Sequence, residues 1–180
     1  MLISRNDSLL LVVDIQEKLA PAIFEADEIT RNSVRLLDGA RRLGIPAFVS
    51  EHYVQGLGPS VAAIRDAAVD ARIFAKTHFS CAAEPGVLDL LQACGRRQVI
   101  LTGAETHVCV LQTALGLIAA GFAVCLVADA ASSRTPANRQ LACERVRAAG
   151  GQVVSTEMVL FEWLERGGTD EFRALLPLIK

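Results

Sequence analysis

The chain has 180 residues, 52% of them hydrophobic and 21% charged, which is ample apolar material for one domain, residues 1–180, around a single core. Its formal net charge is −2, and its 18 basic residues are scattered or paired, a pattern that excludes the basic footprint of a nucleic-acid binder. Five cysteines (Cys81, Cys94, Cys109, Cys125, Cys143), odd in number and without a C-x-x-C pair, speak against a disulfide framework or a zinc site and suit a reducing, cytoplasmic compartment.

The first predicted strand, Ser8 to Val13, lies in the apolar run "LLLVV", too short for a secretory segment and lacking a cleavage signature. It ends at Asp14. With Glu17 three residues on, Asp14 reads either as a helix N-cap with its capping-box partner or as a carboxylate available at a strand end. A helix is predicted over Ile29 to Leu43 and a second strand over Ala47 to Ser50, after which stand Glu51 and His52. The first turn, "DIQEKLA", has no glycine, and "GLGPSV" carries a valine where a dinucleotide fingerprint needs its last glycine. No Walker motif occurs either. The third strand, Arg72 to Ala75, leads into Lys76, which is a solvated lysine or a site cation.

A helix over Gly86 to Ala93 precedes the fourth strand, Gln98 to Thr102, and the turn "TGAETHVCV". The next helix, His107 to Ala120, presents Val108, Leu111, Leu115 and Ile118 as a packing stripe. With Thr106 as N-cap, Cys109 falls in the first turn and off that stripe, where the helix macrodipole favours thiolate. It is then a nucleophile; the alternative is a small buried hydrophobe. The fifth strand, Ala123 to Ala128, ends at Asp129, and a helix over Ala137 to Ala149, a strand over Gln152 to Ser155 and short helices after Glu157 and Thr169 complete the chain. Val108 to Ala128 is free of charge over about 20 residues, long enough for a membrane span. Gly121 splits it, Gln112 and Thr113 interrupt it, and interfacial anchors are missing, so no span is expected.

This alternation predicts an α/β fold: a doubly wound, mainly parallel six-stranded sheet of order 3-2-1-4-5-6 with helices on both faces. Ligands bind such sheets beyond the carboxyl ends of the strands at the switch point, where the first and fourth strands are neighbours. That order brings Asp14, a proton acceptor, to Cys109. Lys76 stands two strands away, about 10 Å, within reach of a long side chain. His52, His78 and His107 are scattered and the metal spacing D-x-H-x-x-H is missing, so no metal or other cofactor is expected. His107, two residues before Cys109 at a helix start, points away from it.

In chain order, "LLLVVDIQEKLAPAI", "SEHYVQGLGPSV", "FAKTHFSC", "LTGAETHVCVLQTALGLIAAGF" and "VADAASSRT" resemble the isochorismatase-like cysteine hydrolases, and with "FRALLPLIK" they are most similar to the small isochorismatase domain-containing proteins. The resemblance implies an Asp14, Lys76, Cys109 triad, a cis peptide at Ala104-Glu105, and an oxyanion hole made by the backbone N–H groups of Glu105 and Cys109. It also implies a homo-oligomer. Nicotinamidases of this family bind a metal through an aspartate and histidines that are missing here, and true isochorismatases lack the cysteine. The expected activity is therefore thioester-forming hydrolysis of a small amide-like C–N bond; isochorismate-type vinyl-ether cleavage and a redox-responsive binding protein are the alternatives. Gln16, His52, Tyr53, Phe79 and Thr135 are expected to line the substrate pocket.

Overall fold

A computed structural model describes residues 1–179. Its centre is a six-stranded, wholly parallel sheet: β1 (Ser8–Val13), β2 (Ala47–His52), β3 (Arg72–Lys76), β4 (Gln98–Ala104), β5 (Ala123–Ser132) and β6 (Gln152–Val154), in the order β3-β2-β1-β4-β5-β6. Every residue of β1 is buried, because both faces of a parallel sheet are covered. Its side chains alternate accordingly: Leu10 and Val12 join one apolar cluster, Leu9, Leu11 and Val13 the other.

The first cluster lies under α1 (Ala26–Leu43) and the C-terminal α7 (Thr156–Leu164) and α8 (Asp170–Ile179). Helix α1 stops at Gly44, whose left-handed φ of 66° lets its N–H reach back to the last carbonyls. Trp163 of α7 is fully buried and donates its indole N–H to Ser8 Oγ at 3.0 Å. The second cluster lies under α4 (Val87–Gln92), α5 (Leu111–Ala119) and α6 (Pro136–Ala148). Among the described residues, no helix is long and apolar enough to cross a membrane.

Several boundaries differ from the sequence reading. Short helices α2 (Val54–Leu57) and α3 (Ala62–Ala67) occupy a stretch without predicted structure, since α3 buries only Ile64 and its periodicity is weak. Strand β5 does not end at Ala128. It bulges opposite Thr102 and resumes at Ala131 beside Gly103, with Asp129 inside the bulge. There the Asp129 carboxylate accepts from the Thr156 N–H at 2.8 Å and its hydroxyl at 3.0 Å, tying β5 to α7.

The largest correction concerns the start of the helix after β4. Residues Thr106–Val110 form a π turn, with the N–H groups of Val108 and Val110 both donating to Glu105 O. Thr106 is not the N-cap: Glu105 holds that position, and the fully buried Thr106 hydroxyl has no hydrogen-bond partner among the described residues. A π turn holds more residues than an α turn, so a stripe extrapolated at 3.6 spacing slips by about one position. The side chains α5 buries are accordingly Leu111, Thr113, Ala114 and Leu117, while Val108, Leu115 and Ile118 are only partly buried.

Candidate active site

The carboxyl ends of β1, β2, β3 and β4 carry the residues that converge. Asp14 follows β1 in a left-handed conformation, φ 52°, and its N–H donates to Ser50 O at 3.1 Å. No α-helix begins there, so the capping reading with Glu17 does not hold; Glu17 instead pairs with Arg65 at 2.8 Å. Asp14 and Lys76 are 0% and 2% exposed, and Lys76 Nζ lies 2.6 Å from Asp14 Oδ2. The lysine ammonium also donates to the carbonyls of His78 at 3.2 Å and Phe79 at 3.0 Å, which wraps the loop after β3 around it.

Cys109, 5% exposed, stands close enough to Asp14 that the carboxylate charge bears on its thiol. Sequence places this sulfur at a helix start that favours thiolate, and outside the core. The structure reverses both points, because the thiol sits at the margin of the second apolar cluster, where burial and the neighbouring Asp14 charge push it well up. At rest it is therefore a thiol facing a base. Burial also raises the Asp14 carboxyl, opposed by the ammonium of Lys76 and the hydroxyl of Ser50.

Two further residues complete this cluster without having been singled out from sequence. Ser50 Oγ donates to Asp14 Oδ1 at 2.7 Å, and the fully buried Cys81 has its thiol pushed up to about 11 by burial and by the Asp14 charge. The signal for Ser50 was a lone hydroxyl inside the apolar strand "AFVSEH".

The turn that carries Cys109 is braced from the residues just after β5. The Ala104-Glu105 peptide bond is cis, and the Glu105 carboxylate is gripped by Arg134, Nε to Oε1 at 2.6 Å and Nη2 to Oε2 at 3.2 Å. His107 is turned toward Ser133, with Nδ1 3.0 Å from its hydroxyl.

The expected pocket residues divide. His52 and Phe79 pack together, their rings 5.2 Å apart, and burial together with Lys76 pushes the His52 imidazole down; its buried Nδ1 has no partner among the described residues. Tyr53, exposed, borders a cavity of about 180 Å³ with Lys76, Thr77 and Glu84. Gln16 differs: its buried amide is engaged by backbone, donating to His52 O and Gly58 O and accepting from the His52 N–H, so it fastens two loops together. Thr135 differs too, since its hydroxyl caps α6 by accepting from the Asn138 N–H. A larger recess of about 400 Å³ opens near Arg96, Arg97 and Gly121, beside the amino ends of β4 and β5 and away from this cluster. Among the described residues, no three His, Cys, Asp or Glu side chains are grouped to hold a metal ion.

The isochorismatase domain model matches residues 8–158, which include every residue of this cluster. Isochorismatase domain-containing protein 1 of Danio rerio is 40% identical over 99% of the chain, and its Salmo salar counterpart is 40% identical over 93%. The chain spans 62% and 59% of the length of these two relatives. A solved structure described as the MAR1 ribonuclease of Caenorhabditis elegans superposes with a TM-score of 0.93 at 37% identity, covering 99% of this chain and 92% of that one. YcaC from Pseudomonas aeruginosa, described with hexane-2,5-diol and covalent acrylamide, gives 0.91 at 28% identity, covering 98% and 91%. YcaC from Escherichia coli, described as an octameric hydrolase of unknown specificity, gives 0.92 at 26%, covering 99% and 90%. Sheet order, the domain match and relatives aligned over nearly the whole of this chain agree, and the chain belongs to the isochorismatase family.

Proposed function

We propose that the protein is a cysteine hydrolase that cleaves a small, amide-like C–N bond through a thioester on Cys109. The observation that carries this reading is the buried Asp14 carboxylate, bonded on one oxygen to the Lys76 ammonium at 2.6 Å, with its charge bearing on the buried Cys109 thiol. A thiol held protonated by burial needs a base beside it, and Asp14 is that base. The covalent acrylamide described for the P. aeruginosa relative is in keeping with a reactive nucleophile on this fold.

In the proposed reaction Asp14 takes the Cys109 proton as sulfur attacks the carbonyl carbon, and the negative oxygen is received by the backbone N–H groups of Glu105 and Cys109. The tetrahedral adduct collapses as Asp14 gives that proton to the leaving amine, which departs. Water then adds to the thioester, losing its proton to Asp14, and collapse releases the acid while the proton returns to sulfur. Lys76 keeps a positive charge beside Asp14 throughout. His52, Tyr53 and Phe79 contact the substrate, whereas a long RNA, suggested by the name given to the C. elegans protein, has little to hold it on a chain of net charge −2.

A panel of small amides followed by intact-protein mass spectrometry tests the route. The expected result is an acyl adduct that is lost in Cys109→Ala together with at least a 1000-fold fall in turnover, on the order of what single catalytic groups contribute. Turnover without an adduct and undiminished in Cys109→Ala, on amides or on isochorismate, overturns it.

A further inference from the structure

Lys76 Nζ has three protons and three acceptors: Asp14 Oδ2, His78 O and Phe79 O. An ammonium cannot accept, so Asp14 Oδ2 is committed as an acceptor in every step. The proton that Asp14 gains and returns must therefore reside on Oδ1. Oδ1 is also the oxygen that receives the Ser50 hydroxyl at 2.7 Å. A hydroxyl has one proton and two lone pairs, and can serve a carboxylate as donor or a carboxylic acid as acceptor. Cys81, fully buried in the same apolar cluster as Cys109, is fixed in place because its N–H donates to Thr113 Oγ1 at 2.9 Å. Ser50, Cys81 and Asp14 are all fully buried, so water cannot substitute for any of these contacts.

We propose that Ser50 is a positioning residue for this reaction, its hydroxyl donating to Asp14 Oδ1 while the carboxylate is charged and turning to accept from Oδ1 when that oxygen carries the proton. This rests on Asp14 being the base. The Ser50 hydroxyl thereby favours the carboxylate in the resting site without trapping it there.

The test is the pH dependence of Cys109 alkylation by iodoacetamide, resolved from the other cysteines by peptide mass spectrometry, in the full chain and in Ser50→Ala, Ser50→Thr and Asp14→Asn. Loss of the hydroxyl in Ser50→Ala moves the acid inflection to higher pH, slowing alkylation about tenfold below it for each unit moved. Ser50→Thr, which keeps a hydroxyl, returns the inflection to the wild-type position. A folded Ser50→Ala with the wild-type inflection, or a folded Ser50→Thr that behaves like Ser50→Ala, overturns the inference. If Asp14→Asn alters the profile while Ser50→Ala does not, only the Ser50 role fails; if Asp14→Asn leaves it untouched, the base assignment fails with it.

Discussion

Lys76 and Asp14 are each nearly without solvent, so neither charge is tolerable without the other. Removing one partner of such a pair leaves the second stranded, at a cost of about 3–5 kcal/mol. Lys76→Met and Asp14→Asn are each expected to lower urea stability by that order, and the double variant by clearly less than the sum. The pH behaviour follows from the raised Asp14 carboxyl. Its folded value lies above the ordinary 3.8, so its ionisation removes stability as pH climbs through that window, and base catalysis appears over the same window. The acid limb of the turnover profile is therefore expected above the usual aspartate range, and a limb at or below 3.8 would contradict the burial argument. Asp14 and Lys76 were readable because each is a charged side chain at the end of a strand, and Cys109 because its thiol stands in the turn that follows β4. Ser50 and Cys81 were not: Ser50 lies inside a strand and is set beside Asp14 only by strand register, and Cys81 opens a short 3-10 turn after β3 that shows no pattern in sequence.

At the scale of elements, the site depends on how closely β4 passes β1. Gly103, φ 121°, pairs with Val13, and a β-carbon there would fall 2.0 Å from Val13 O. Backbone on both sides cannot yield, so Gly103→Ala is expected to destabilise by on the order of 3 kcal/mol and to disorder the turn holding Cys109. A thermal melt with alkylation of Cys109 checks both. The sequence pattern contained the strands, their order and the helices large enough to show a full apolar period. It did not contain the π turn, because hydrophobic spacing assumes 3.6 residues per turn, and the burial of Cys109 was misjudged as a direct result. Nor did it contain the bulge at Asp129, whose carboxylate looked like a strand end and is instead a clasp for α7. Gln16 and Thr135 show the same limit: a polar residue in a loop after a strand can serve the backbone as readily as a ligand.

For the whole molecule, two apolar layers enclose the sheet, and the terminal helices complete the first. Trp163 belongs to that layer and Leu164 is buried beside it in sequence, whereas Phe161 is exposed, as are Met1, Leu2 and Met158. We propose that this outer patch meets further copies of the chain, in line with the octamer described for the E. coli relative. Sedimentation is expected to give a multiple of 19.3 kDa, and Phe161→Glu to lower it. A plain 19.3 kDa species at micromolar concentration would contradict this.

The placement of Lys76 has its own consequence. It is carried by β3, the outermost strand, bonded to the sheet only through β2 and facing solvent along most of its length. Strands at a margin peel away with less energy than those at the centre. Gentle warming should therefore silence the proposed hydrolysis while the middle of the sheet is still intact: amide deuteration of 72–76 should rise, and turnover fall, several degrees before β1 and β4 let go. If function and the global melt vanish together, with β3 shielded as well as β1, the rim is not where the protein first gives way.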